Sequence, residues 1–291
     1  MTHTEALTAL TLDDLVAAFG WEHRPLVARA LRRLFHGPAE TFARQMEEFD
    51  ADLARLGLAE AARRTQRHYV RDVHVIAEQP LPRGPFLALA NHPGMTDTLS
   101  LFAALGRDDL KVIALDRPFL NSLPHTSERL FYVREGDSAA RAGLIRKVST
   151  HLRNGGAALT FPAGHIEPDP EVYDGALESL RTWTDSVGVF IRMAPDTAVV
   201  PVFVRGVLWR TMARHPLLLV KRRREERERL AATCQLLAHV VCNFKPVTVR
   251  VQIGRPITAQ ALGTTDPRAI HDAVLSEMQR LYTTGHSSAP S

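Results

Sequence analysis

At 291 residues, 45% of them hydrophobic, the chain has the length and composition of an ordinary globular protein able to bury a substantial core. Its formal charge of +4 and pI near 9.4 suit an anionic partner such as a membrane surface, a coenzyme or a nucleic acid, without choosing among them. No apolar run of roughly 18 residues occurs, which argues against a spanning helix, and the opening MTHTEALTALTLDD lacks the cationic start and apolar block of a secretory signal.

Residues 1–70 predict four helices. Thr11 and Asp14, three positions apart, read as a capping box that opens a helix over 12–19, and Gly20 stops it. Leu26, Val27, Ala30, Leu31 and Leu34 recur at helical spacing within 24–35; Gly37-Pro38 ends that helix and starts the next, 39–56. Gly57 divides it from a fourth, 58–70. No chemistry is evident here, and the region reads as a helical cap or partner surface.

From Val70 the pattern changes. Residues 72–76 alternate as a strand, and Pro80 to Pro85 form a turn cluster before a continuous apolar run at 86–90. Further strands are expected at 110–115, 130–133, 157–161, 199–205 and 247–253. Helices are expected at 138–153, 177–193, 216–242 and 267–282, and 284–291 reads as a frayed, disordered tail. This alternation predicts an α/β layered domain over 71–283, with a mostly parallel sheet flanked by helices and a preceding N-terminal helical region. Cys234 and Cys242, on one predicted helix, lie about 12 Å apart along its axis, too far to bridge, so a reducing compartment is expected.

Four stretches carry chemistry. Asn91-His92 follows the apolar run 86–90, and Asp97 stands five positions after His92 at the start of a helix, with Pro93-Gly94 as the turn and Thr96 as a helix cap. A neutral histidine takes the proton of an attacking alcohol, and a carboxylate on its other ring nitrogen fixes the tautomer and stabilises the imidazolium. Phe131-Tyr132-Val133-Arg134 places an arginine just past a strand, where its fork suits phosphate or carboxylate. Phe161-Pro162-Ala163-Gly164-His165-Ile166-Glu167 leaves a strand sharply toward the C-terminal edge of the sheet, where open α/β sheets bind ligands. Val200-Pro201-Val202 interrupts a strand with a proline, the mark of an edge or a bulge, and Arg205 ends that strand. His165, Glu167 and Asp169 lack a recurrent ligand spacing, so no metal is expected, and a metal hydrolase using His92, Asp97, His165 and Glu167 is the weakest reading.

Together the four stretches resemble the motifs of the glycerolipid acyltransferase superfamily, which includes the lysophosphatidate acyltransferases. N-H-x-x-x-x-D is matched in full by Asn91, His92 and Asp97. F-I-x-R is matched by Phe131 and Arg134, with Tyr132 for the aliphatic residue and Val133 where Asp is usual. F-P-E-G-T-R is matched in part by Phe161, Pro162 and Gly164, and V-P-V by Val200, Pro201 and Val202. The likeness spans roughly residues 70–210. It implies transfer of a fatty acyl group from acyl-CoA or acyl carrier protein to the hydroxyl of a lysophospholipid-like or related lipid acceptor. By the same carry-over, His92 is the base and Asp97 its orienting partner, while Asn91, Arg134, Phe161, Pro162, Gly164, His165 and Arg205 would line the substrate site. No cofactor beyond the acyl donor and no nucleic acid are implied. Ala163 stands where the family has glutamate, and His165-Ile166 where it has Thr-Arg, which leaves the acceptor open.

The run Lys221 to Arg229 carries six positive and three negative charges beside the apolar 217–220. It reads either as a solvated helix face or as a contact with anionic headgroups. The expected location is cytoplasmic, peripheral at the inner face of the cell membrane. The alternative from another class is a non-catalytic lipid-binding or scaffold protein that keeps the fold.

Overall fold

The computed structural model describes residues 2–134, 136 and 138–287. Helix α1 (His3–Phe19) begins earlier than the Thr11 signal suggests. Its capping box is Thr2 and Glu5: the Thr2 hydroxyl accepts from the Glu5 N–H (3.2 Å), and the Glu5 carboxylate accepts from the Thr2 N–H (2.7 Å). Thr11 lies inside the helix, donating its hydroxyl to the Leu7 carbonyl at 2.8 Å, a way of satisfying threonine mid-helix that the sequence does not distinguish from a cap. After α2 (Pro25–Leu34), α3 (His36–Leu56) takes Pro38 into its first turn, where a missing N–H costs nothing. Helix α4 (Leu58–Gln66) stops four residues short of the expected end, because Tyr69 and Val70 already turn into the sheet's core.

Among the described residues seven strands follow: β1 (Asp72–Ala77), β2 (Phe86–Ala90), β3 (Lys111–Leu115), β4 (Leu130–Val133), β5 (Ala157–Thr160), β6 (Ala198–Arg205) and β7 (Thr248–Ile253). Their order in one sheet is β1-β7-β6-β2-β5-β3-β4, and among the described strand pairs only β6–β7 is antiparallel. The sheet is therefore mostly parallel, as the alternation predicts. Central β2 is buried at every position, which explains its continuous apolar run in place of alternation.

The remaining helices are α5 (Met95–Leu105), α6 (Pro118–Asn121), α7 (Pro124–Ser127), α8 (Ser138–Arg153), α9 (Ala176–Ser179), α10 (Ser186–Met193), α11 (Arg210–Ala213), α12 (Arg224–Cys242), α13 (Ala259–Leu262) and α14 (Pro267–Ser287). On one face of the sheet, Phe86, Ala88, Val200 and Val202 pack with Phe42, Met46 and Leu53 of α3 and with Leu101 of α5. On the other, Leu87, Leu89 and Phe203 pack with α8, α10 and α14. The N-terminal helices thus share the main core with the sheet. Gly188 of α10 lies against the Pro267 backbone so closely that a Cβ would collide with it; a side chain there would push α14 off the sheet.

Four further expectations are corrected. Pro201 does not mark an edge, since β6 lies between β2 and β7; it falls where the antiparallel pairing slips by one residue, between the Val202–Ile253 pair and the Val199–Ile257 bridge, which is the bulge of the two expected alternatives. Proline is tolerated because the β7 ladder starts only at Val202, while the Pro201 carbonyl still accepts from Gly254 N–H at 2.8 Å. The expected helices 177–193 and 216–242 are both broken. In the first, Trp183 adopts an extended conformation after a 3-10 turn (Leu180–Thr182), sending its indole to Glu167. In the second, Pro216–Val220 forms a 3-10 turn and α12 starts at Arg224, leaving Lys221, Arg222 and Arg223 outside and Glu225 and Glu226 in the first turn, the arrangement that the helix dipole favours. Finally, α14 continues to Ser287, into the expected tail, with the Thr283 and Thr284 hydroxyls donating to the Arg280 carbonyl; residues 288–291 lie outside the described residues.

Candidate active site

The parallel strands β2 to β6 end on one edge of the sheet, and the central strand delivers His92 there. Asn91, the next residue after β2, turns its amide sideways: Nδ2 donates to the Val204 carbonyl (2.8 Å), and Oδ1 accepts from the Val204 N–H (2.7 Å). This side chain extends the β2–β6 ladder by one rung, so the chain leaves the sheet at a fixed angle. Asn91 is thus a clip between strands, fully engaged with the backbone.

His92 Nδ1 lies 2.8 Å from Asp97 Oδ2. Asp97 is fully buried in the first turn of α5, where its carboxylate also accepts from the Gly94 N–H (3.0 Å) and the Thr98 hydroxyl (3.0 Å). The aspartate that holds the imidazole also closes the helix N-terminus, where negative charge is favoured. Thr96 does not cap the helix; it lies within the first turn, and Gly94 is the N-cap residue. The His92 side chain is 26% exposed, and Phe161 stacks on its ring at 4.4 Å.

Glu167 supplies what the sequence does not reveal. His92 N–H donates to its Oε2 (3.0 Å), and Glu167 N–H donates to the His92 carbonyl (2.8 Å). Its Oε1 accepts from Trp183 Nε1 (2.9 Å) and the Ser179 hydroxyl (3.0 Å). Residues 75 apart are thereby clamped in both directions, and only the flanking prolines of the 161–170 stretch hint at a fixed path. Burial works against a charge on His92, but the Asp97 charge and hydrogen bond, with the Glu167 charge, outweigh it and raise the imidazole above its ordinary pKa. Burial likewise pushes the Glu167 carboxyl up, against the donors around it.

Asp169 fixes the next loop. It is almost wholly buried and accepts four backbone N–H groups: Glu171 (3.0 Å), Gly206 (3.0 Å), Val207 (2.6 Å) and Leu208 (2.8 Å). Gly206 has φ of 73°, and a Cβ there would meet the Thr248 carbonyl at 2.6 Å, so only glycine aims these N–H groups at the carboxylate. Asp169→Ala strands several buried donors and is expected to cost about 3 kcal/mol, read as a lowered urea midpoint with an unchanged m-value.

The other expected site residues are not all brought to His92. Pro162 is buried behind Phe161, Gly164 and His165 are exposed at the tip of the loop, and Ala163 packs on the core. Arg134 stands on the same edge, but at the end of β4, three strand positions from β2, roughly 14 Å at the usual strand spacing. Its exposed side chain pairs with Asp116 (2.9 Å). Arg205, expected to face the cleft, is buried over the Phe203 ring and donates to the Leu281 and Tyr282 carbonyls (3.1 and 3.3 Å). Strand alternation turns it onto the α14 face of the sheet, where a cation complements a helix C-terminal end. Glu167 and Asp169 are committed to the donors above, and among the described residues no cluster of three His, Cys, Asp or Glu side chains could hold a metal ion.

The class defined by these features is an open α/β domain with a carboxylate-held histidine at the C-terminal edge of its central strand. Residues 72–205, from β1 through β6, match the family model described as Acyltransferase. No curated protein matches the chain. Among solved structures, the 1-acyl-sn-glycerophosphate (LPA) acyltransferase PlsC from Thermotoga maritima overlaps with 98% of this chain and 97% of its own at 15% identity and a TM-score of 0.48, too low to inform the chemistry.

Proposed function

We propose that the chain is an O-acyltransferase that moves a fatty acyl group from acyl-CoA or acyl carrier protein to a hydroxyl of a lysophospholipid-like or related lipid acceptor. The observation that carries this reading is the 2.8 Å contact between His92 Nδ1 and the buried Asp97, in a stretch that matches the Acyltransferase family model. With Nδ1 committed, Nε2 is the nitrogen left for the acceptor hydroxyl. As that oxygen attacks the thioester carbonyl, Nε2 takes its proton, and the imidazolium is stabilised by Asp97 and Glu167. Collapse of the tetrahedral intermediate breaks the C–S bond, and the proton passes to the leaving thiolate. The direct test is release of free thiol from acyl-CoA or acyl carrier protein against a panel of lipid alcohols. Release that depends on the acceptor supports the reading; no release with any pair refutes it.

On this reading residues 1–70 are a helical region and 71–283 the transferase domain, and the chain works at the surface of an anionic membrane, from the cytoplasmic side. Among the described residues no helix is long and apolar enough to cross a bilayer. The contact is instead supported by surface chemistry. Leu219 and Val220 are exposed beside Lys221, Arg222 and Arg223, and Leu26 and Leu34 are exposed on α2 among Arg29, Arg32 and Arg33. Phe35, at the end of α2, and Leu217 and Leu218 line one apolar cavity of about 250 Å³, so the two patches adjoin. Leu219→Asp is expected to reduce co-sedimentation with phosphatidylglycerol vesicles several-fold, leaving turnover of a water-soluble short-chain acceptor unchanged. Equal sedimentation of variant and parent would remove this surface from the membrane contact.

A further inference from the structure

Beside the His92 turn lies a small pocket of about 20 Å³, lined by Pro93 to Thr96, by Val207 and Leu208, and by Gln235 and His239 of α12. Gln235 is spoken for: its Nε2 donates to the Val207 carbonyl (2.7 Å), and its Oε1 accepts from the Trp209 N–H (2.5 Å). Thr96 and His239 are not. They are 4% and 3% exposed, yet Thr96 Oγ1 and both ring nitrogens of His239 lack a hydrogen-bond partner among the described residues. Leaving such groups dry costs about 1–3 kcal/mol each, so native interiors normally supply partners.

Burial, and then the Lys245 charge, pushes His239 down to about 4. At neutral pH its imidazole is uncharged, with one N–H donor and one bare nitrogen acceptor. The cavity matches the roughly 10–15 Å³ that one buried water needs, and its polar partners are a hydroxyl and an imidazole.

We infer that this cavity is a hydration site in which one water bridges Thr96 Oγ1 to the His239 imidazole, making His239 a positioning residue for the turn that carries His92. Thr96 stands one residue before Asp97, so a bridge there ties α12 to the first turn of α5. The Asp169-held loop, which supplies Val207 and Leu208, lines the same pocket. The hydration site stands independently of the acyl-transfer reading; its consequence for turnover rests on that reading.

The test uses the full chain. A high-resolution crystal structure is expected to contain an ordered solvent peak within hydrogen-bond distance of Thr96 Oγ1 and one His239 nitrogen, absent in Thr96→Val. In urea unfolding, Thr96→Val and His239→Leu each lower the folding constant on the order of tenfold, and the double variant falls no further than the worse single. A dry cavity, or a double effect equal to the product of the singles, overturns the bridge; should His239→Leu not fold, the crystallographic comparison with Thr96→Val decides it. Unfolding needs no turnover, so this result is independent of whether the acyl-transfer assay succeeds. In that assay Thr96→Val lowers kcat several-fold at unchanged donor KM, and Thr96→Ser restores it; an unaltered kcat in Thr96→Val removes the positioning role.

Discussion

Replacement of His92 by alanine is expected to lower acyl-thioester consumption by roughly 10²–10⁴, the worth of a positioned general base, while the fold persists. The fold should persist because the contacts that hold the turn belong to its backbone and neighbours. The His92 N–H and carbonyl pair with Glu167, and Asn91 pairs with Val204, all of which survive removal of the imidazole. What disappears is the proton acceptor, its contact with Asp97 and the Phe161 stacking contact, while Asp97 keeps the Gly94 N–H and the Thr98 hydroxyl. The measurement is thiol release under saturating donor and acceptor, with circular dichroism and a urea midpoint as controls. Near-normal turnover in a folded His92→Ala protein would falsify the assigned mechanism.

Asp97→Asn is expected to act at two levels. The amide loses the charge that stabilises the imidazolium and presents an N–H₂ that can favour the wrong tautomer, so kcat falls on the order of 10²–10⁴. It also shifts the pH profile. The His92 pKa in the folded protein lies above the ordinary 6.5, because the Asp97 charge and hydrogen bond with the Glu167 charge overcome burial. A general base works neutral, so activity of the parent rises with pH through that raised value, and its acid limb lies above about 6.5. Removing the Asp97 charge leaves burial as the larger influence, and the limb moves to lower pH. The stability linkage has the matching sign: the raised His92 pKa stabilises the fold below the unfolded value, and this contribution is lost as pH rises through the folded one. A limb that stays in place in Asp97→Asn, measured on residual kcat/KM, would show that the pair does not set the titration.

The seven strands, the mostly parallel sheet and the His92–Asp97 pair could all be read from the chain, because each depends on residues within a few positions of one another. An apolar run of five ending in Asn-His fixes a buried strand and its exit, and a spacing of five brings Asp97 back to the same turn. Local signals were weaker where two readings satisfy the same groups. Thr11 resembles a cap but is satisfied inside α1, and Pro201 resembles an edge residue but stands where one ladder stops and another contact begins.

The histidine, its aspartate and the sheet that presents them were set by the sequence alone, through periodicity and short spacings. Only the tertiary structure decided the rest of the site. It clamps Glu167 to His92 across 75 residues, commits Asp169 to the loop after β6, turns Arg205 onto α14 and leaves Arg134 three strands away. These outcomes depend on strand order and on which face each side chain meets. Partners brought together by a crossover leave no periodic trace in the chain, whereas those joined by a single turn do.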